Sequence, residues 1–292
     1  MTLILSLATP EIIIQVSDRR LISVSYDGRI TKTEDTHNKA VLCDGNMLIS
    51  YAGVGSYSKL YIDDWLVEIL SRVNERTIDK VCDVIKTEAT KLFSSMNCSK
   101  SKKRHSFVCM VWGIDPVSKR LKPAIFTISN ALDDNDNWLP EARDFFEIKG
   151  EILSSRKSFL FLPVGAELSE QELSELNISL KHKVKRFADA VDFADALLRT
   201  IQQVAARDGS VGETYMITSS PKKYVEKIIK QAVSNNVFGF WVSGDEPNYK
   251  NQSFIYLSRG NSDSSIRKTF FFPHIVALNM ASRGGMLTID NN

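Results

Sequence analysis

Two short runs near the N-terminus constrain the fold of this chain more than any other feature. Leu3-Ile4-Leu5-Ser6-Leu7 and Ile12-Ile13-Ile14-Gln15-Val16 flank a turn around Ala8-Thr9-Pro10-Glu11. Both are rich in residues that favour pleated backbone, and both are nearly continuously apolar rather than alternating. That pattern marks strands buried on both faces, so a sheet containing them must be covered on each side.

The rest of the chain supplies the cover. A second hairpin is expected from Lys39-Ala-Val-Leu through an Asp44-Gly45 turn to Met47-Leu48-Ile49-Ser50-Tyr51-Ala52. Apolar residues then recur at helical spacing from Ser56 to about Val73 (Leu60, Trp65, Leu66, Ile69) and from Ile78 to about Phe93 (Val81, Val84, Ile85, Leu92). Strand-like Phe107 to Trp112, Ala124 to Ile128 and Phe159 to Leu162 follow, with an acidic loop at Asp133 to Asn137. A long helical stretch carries the stripe Phe187, Val191, Ala194, Leu198 and Ile201. After Arg207-Asp-Gly-Ser-Val-Gly212 come a strand at Thr214 to Thr218 and a helix opened by Pro221 with Val225, Ile228 and Ile229 inward. Beyond Val237, the runs around Phe238 to Trp241, Phe254 to Tyr256 and Phe270 to Phe272 read as further strands. Two sheets packed face to face with helices outside each satisfy this order, and periodicity alone leaves other α+β layer arrangements open.

Charge and cysteine usage narrow the function by exclusion. The formal net charge of +2 gives no general electrostatic reason for a nucleic-acid or membrane partner. Lys100 to Arg104 and Lys181 to Arg186 read as exposed basic faces, without interleaved aromatics or a binding motif. Cys43, Cys82, Cys98 and Cys109 form no CxxC pair, and His37, His105, His182 and His274 are isolated, so no metal site is expected and none of the histidines takes a role. With no basic n-region or long apolar span, the chain reads as soluble and cytoplasmic.

The chemistry is carried by a spaced set. Thr2 opens the first strand, and Asp18 closes the second within Ser17-Asp18-Arg19-Arg20. Lys39 starts the third, and Gly53 follows the fourth within Ser50-Tyr-Ala-Gly-Val-Gly55. Sixteen positions separate Thr2 from Asp18, and fourteen separate Lys39 from Gly53. In this the chain resembles the N-terminal-nucleophile hydrolases, specifically the proteasome β-subunit and Anbu-like threonine peptidases. The resemblance is clearest over 2–55, weaker to about 230, and absent beyond. It implies a four-layer αββα sandwich over 2–236, with 237–292 as a strand-rich C-terminal extension packed on the same domain.

The resemblance also assigns roles. Thr2, bared by removal of Met1, is the implied nucleophile, and its own α-amine the base. Lys39 lowers the pKa of both, Asp18 holds Lys39, and the Gly53 N–H faces the oxyanion. Asp208 and Ser210, in Asp208-Gly-Ser-Val-Gly212, match residues that brace the nucleophile. Arg20 matches a structural arginine, and Leu21 and Tyr51 flank the first specificity pocket. No cofactor is implied. A peptide or protein is the implied substrate, and a homo-oligomeric ring or spiral the implied assembly. The family's other helper serine falls near Val164-Gly165-Ala166, where this chain has alanine.

Each residue also has a plainer reading: Thr2 as a strand residue, Asp18 as a turn cap, Lys39 as a solvated strand start, Gly53 and Gly55 as turn glycines, and Asp208 with Ser210 as a helix stop. Two functions therefore stand side by side. One is a peptidase or amidase acting through an acyl-enzyme. The other is an inactive proteasome-like subunit that builds an oligomer or docks a partner. The tail is open to three uses: covering the site mouth, capping an edge strand, or binding a partner.

Overall fold

The computed structural model describes residues 2–226, apart from 25–29, 35–36, 38, 45–46, 58–59, 75, 96–103, 116–117, 136, 187–189, 213–214 and 224; it also describes 267–271, 274–277, 280–282 and 286–290. The expected strands around Phe238 to Trp241 and Phe254 to Tyr256, and Phe187 of the helical stripe, lie outside the described residues.

The first hairpin forms as its sequence requires. Strands β1 (Leu3–Ala8) and β2 (Ile12–Asp18) pair antiparallel, with Ile4 opposite Ser17 and Ala8 opposite Ile13. Thr9 closes the turn, its Oγ1 accepting from the N–H groups of Glu11 and Ile12 at 3.3 and 3.1 Å. Every residue of both strands is buried. They form the middle of a four-stranded sheet in the order β12-β1-β2-β13, flanked by β12 (Leu160–Gly165) and β13 (Tyr215–Pro221).

The second sheet is built around β5 (Ala40–Cys43), β6 (Met47–Ala52), β9 (Ser106–Ile114) and β10 (Leu121–Ser129). Its seven strands run β11-β10-β9-β6-β5-β15-β16, adding β11 (Glu147–Ile152), β15 (His274–Ala277) and β16 (Met280–Ser282). All its pairs are antiparallel except β15 with β5, which is parallel. Three small pairs complete the strands: β3 (Leu21–Val24) with β4 (Ile30–Glu34), β7 (Ser56–Tyr57) with β8 (Leu60–Tyr61), and β14 (Arg267–Phe271) with β17 (Met286–Asp290).

Alternation along each strand divides the core. Leu3, Leu5, Leu7, Ile12, Ile14 and Val16 pack with residues of α3 (Glu170–Lys185) and α4 (Ala190–Arg207). Ile4, Ala8 and Ile13 instead meet Leu42, Leu48, Val108, Met110 and Trp112 of the other sheet. On that sheet's far side, Met47, Ile49, Tyr51, Phe107 and Cys109 pack with α1 (Ile62–Ser71) and α2 (Ile78–Ser95). This is why the strands are apolar on both faces. The fold is α+β, with two main sheets, three small strand pairs and four named helices among the described residues.

Polar pins cross between the sheets. Gln15 Nε2 donates across to the Val108 carbonyl at 3.2 Å and Ser50 Oγ donates back to Gln15 Oε1 at 2.7 Å, while Ser6 Oγ, on the neighbouring strand of Gln15's own sheet, accepts from the same Nε2 at 3.3 Å. Trp112 Nε1 donates to the Ser220 carbonyl at 2.9 Å. Buried polar groups left unpaired cost stability, so these bonds fix how one sheet sits on the other.

Several elements differ from expectation. The helix expected from Ser56 starts at Ile62, because Ser56–Tyr57 and Leu60–Tyr61 pair first as a small hairpin and Tyr61 stays extended. A separate helix, α3, precedes the striped helix α4. The strand expected to end at Thr218 continues to Pro221, which pairs with Ile12. Edge strand β11, polar and exposed, gave no sequence signal.

Candidate active site

The start of β1, the end of β2 and the start of β5 bring Thr2, Asp18 and Lys39 together. Asp18 is fully buried where β2 ends, opposite Tyr215 of β13. Its Oδ1 accepts from the Leu3 N–H at 2.7 Å. Its Oδ2 accepts from the Arg20 N–H at 2.9 Å, the Gly212 N–H at 3.2 Å and Lys39 Nζ at 3.2 Å. Four donors converge on one carboxylate, which fixes its position.

Lys39 is 1% exposed and is the hub of the site. Besides Asp18, its Nζ donates to Thr2 Oγ1 at 2.7 Å and to the Arg20 carbonyl at 2.7 Å. An ammonium has three N–H donors, and these are three acceptors. A buried lysine is costly unless its charge is paired and its donors are satisfied, and this geometry does both.

Thr2 is itself 5% exposed. Its carbonyl accepts from the Ala166 N–H at 2.8 Å. Gly165, at φ +105°, lets β12 come this close: a Cβ there would lie 1.7 Å from the Thr2 carbonyl oxygen and 3.5 Å from Ala52 Cβ. The local alanine at 166 thus contributes through its backbone, and the end of β6 lies beside the same point.

Gly53 follows β6 at φ +117°, a conformation that L side chains rarely adopt; a Cβ there would meet the Arg104 carbonyl oxygen at 2.6 Å and His105 Nδ1 at 2.7 Å. Gly55 is held differently, since a Cβ there would strike Leu21 Cδ1 at 2.0 Å. Leu21 is 8% exposed and Tyr51 1%. Tyr51 lies in the core with residues of α1, its ring stacked on that of His105 at 6.0 Å between centroids. Burial first, then Asp63, Asp64 and Asp18, pushes its phenol well above the usual tyrosine range.

Asp208 and Ser210 form a unit of their own. The Ser210 hydroxyl, outweighing a smaller opposing effect of burial, holds the Asp208 carboxyl below the usual carboxylate range, helped by the Ser210 N–H at 2.9 Å. The loop reaches the trio through Gly212 on Asp18 and through Arg20, whose Nη1 donates to the carbonyls of Gly209 and Val211 at 2.8 and 3.2 Å.

His105 was given no role by the sequence, yet its Nδ1 accepts the Val54 N–H at 3.0 Å beside the glycine turn. It is 1% exposed, and burial lowers its pKa to about 3. Only the polarity of a lone histidine between basic Arg104 and a strand could have marked it. Among the described residues no group of three or more His, Cys, Asp or Glu could hold a metal, and no helix is long and apolar enough to cross a membrane.

The class that fold and site define is thus an α+β protein with a buried Thr–Lys–Asp cluster at its strand ends. No family model matches the sequence, and no curated protein matches it. Among solved structures, the chain is similar to a Gly-1 mutant of Anbu from Hyphomicrobium sp. strain MC1, at 12% identity and a TM-score of 0.42, over 83% of this chain and 100% of that one.

Proposed function

We propose that this protein is an N-terminal-nucleophile hydrolase, a threonine peptidase or amidase with its layers arranged αββα. The observation that carries the reading is the 2.7 Å hydrogen bond from Lys39 Nζ to Thr2 Oγ1, on a lysine that Asp18 anchors at 3.2 Å. A strand-opening threonine has no structural need for a buried cation on its hydroxyl.

Once Met1 is removed, the Thr2 α-amine, with an ordinary pKa of roughly 7.7–8.0, is the base. Thr2 Oγ1 attacks the peptide carbonyl carbon while its proton passes to the amine, and the Lys39 cation stabilises the developing alkoxide. The carbonyl π electrons move to oxygen, and the Gly53 N–H receives that oxyanion. Preorganised donors of this kind are worth roughly 10²–10³ in kcat. Collapse expels the leaving amine, which takes the proton back from the ammonium and leaves an ester on Thr2. Water, deprotonated by the same amine, then hydrolyses the ester. Asp208 and Ser210 brace the loop behind Asp18, and Leu21 lies at the turn on the substrate side. Assembly into a homo-oligomer in the cytoplasm belongs to the same reading.

An inactive structural subunit is the competing reading, and alanine at 166, near where the resembled family carries a helper serine, favours it. One experiment separates them. Intact mass is expected to show a chain lacking Met1, and a peptide vinyl sulfone is expected to label Thr2. Thr2→Ala and Lys39→Ala should fold and lose both labelling and hydrolysis of a fluorogenic peptide-amide library. Retained Met1 in active protein, or turnover in Thr2→Ala, would remove Thr2 from the chemistry.

A further inference from the structure

We infer that His105 is a positioning residue for the Gly53–Val54 turn: its ring nitrogen fixes the Val54 N–H and so holds the adjacent Gly53 peptide in one orientation. The inference rests on the proposed role of that turn in receiving the oxyanion.

The imidazole is fixed at both its backbone and its ring. The His105 N–H donates to Asn130 Oδ1 at 2.7 Å, and its carbonyl accepts from Ser129 Oγ at 3.0 Å and the Asn130 N–H at 3.3 Å. Its ring centroid lies 4.6 Å from those of Phe93 and Phe107, 6.3 Å from Phe146 and 6.0 Å from Tyr51. Within that aromatic enclosure Nδ1 accepts from Val54 at 3.0 Å, so in the neutral ring the proton belongs to Nε2. Nε2 is buried with no hydrogen-bond partner among the described residues. A core position surrounded by phenylalanines would be better filled by another apolar ring, since an unpartnered buried N–H is costly. What the histidine adds over such a ring is its acceptor at Val54.

The turn needs that acceptor because a glycine backbone is free to adopt many conformations and has no side chain to lock it. Gly53 stands at φ +117°, and the Arg104 carbonyl and His105 press against the face where a side chain would be. A glycine turn keeps one orientation only where its backbone groups are tied. Displacing a catalytic group by about 1 Å can cost on the order of 10²-fold in rate.

Two variants divide the histidine into its parts. His105→Phe keeps the ring and loses the acceptor; His105→Asn keeps an acceptor near the Nδ1 position and loses the ring. On the fluorogenic peptide-amide library, His105→Phe is expected to lower kcat at least tenfold with KM within twofold, at a melting temperature no lower than wild type. Vinyl sulfone labelling of its Thr2 should persist, since alkylation of Oγ1 forms no carbonyl oxyanion. His105→Asn should melt lower yet recover most of kcat. Activity and stability thus move in opposite directions, which a merely structural histidine would not produce. If kcat instead follows melting temperature across the pair, or His105→Phe turns over like wild type while labelling is intact, the inference is overturned. If wild type neither turns over nor labels, the proposed reading of Thr2 fails and takes this role of His105 with it.

Discussion

At the scale of single residues, Gly165 decides whether Thr2 can sit where it does. A Cβ on residue 165 would lie 1.7 Å from the Thr2 carbonyl oxygen, and φ is +105°. Backbone strain of this kind costs about 1–3 kcal/mol, and the clash adds an overpacking cost of similar size unless β1 and β12 separate. Gly165→Ala is therefore expected to lower the melting temperature by several degrees and to abolish labelling of Thr2. Gly209→Ala is the control, since nothing lies within 4 Å of a Cβ there and its φ is unexceptional, and it should change neither. Wild-type labelling in Gly165→Ala would show that the Thr2 carbonyl does not need this contact. Thr2, Asp18, Lys39 and Gly53 were legible in the sequence through the resemblance that their spacing carries, and hydrogen bonds join the first three in the structure. The contributions of Ala166 and His105 were not legible. One acts through a backbone N–H and the other through a partner far along the chain, and neither leaves a mark on residue type or spacing.

Among the elements, α3 shows how local chemistry can be plain while the element itself is overlooked. Its face is mostly charged and buries few apolar side chains, Leu176 and Leu180 among them, so the strong stripe of α4 hid it. Its start is nonetheless written in Ser169-Glu170-Gln171-Glu172, a capping box: the Glu172 N–H donates to Ser169 Oγ at 3.2 Å and the Ser169 N–H to Glu172 Oε2 at 2.7 Å. Arg207, at the end of α4, donates to both Glu172 oxygens at 2.9 and 2.8 Å, tying the two helices together. That Arg207 contact, first among the causes, lowers the Glu172 pKa from 4.5 to about 2. The folded pKa lies below the unfolded one, so the stabilisation is complete above the unfolded value. It is lost as pH falls from about 5 toward 2, where the unfolded chain takes up the proton first. Glu172→Gln should lower the urea midpoint at pH 7 and flatten its decline between pH 5 and 3. An unchanged acid slope in that variant would show that other carboxylates carry the decline.

For the whole molecule, the question is how His274–Ala277 and Met280–Ser282 join a sheet whose other strands end by residue 152. The aromatic runs of the tail marked it as strand-rich, with edge capping as one of three uses. Its partner could not be read, because pairing across more than 200 positions has no local signal and register is fixed only where faces meet. In the structure His274, Ile275 and Val276 run parallel to Val41, Leu42 and Cys43, and β16 then becomes the edge of the sheet. β5 immediately follows Lys39, so the tail supports the strand that presents the buried cation. Without it, β5 would offer a row of unpaired backbone groups beside the apolar residues Val41 and Leu42, an arrangement prone to pairing with another chain. A chain ending at residue 266 is accordingly expected to melt several degrees lower and to associate with rising concentration in sedimentation velocity. Its labelling at Thr2 should fall as Lys39 loses its fixed position. The tail's strand would be dispensable to the site if the truncated chain sedimented as wild type does and labelled at the wild-type rate, and the holding of Lys39 would then rest on Asp18 and the Arg20 carbonyl.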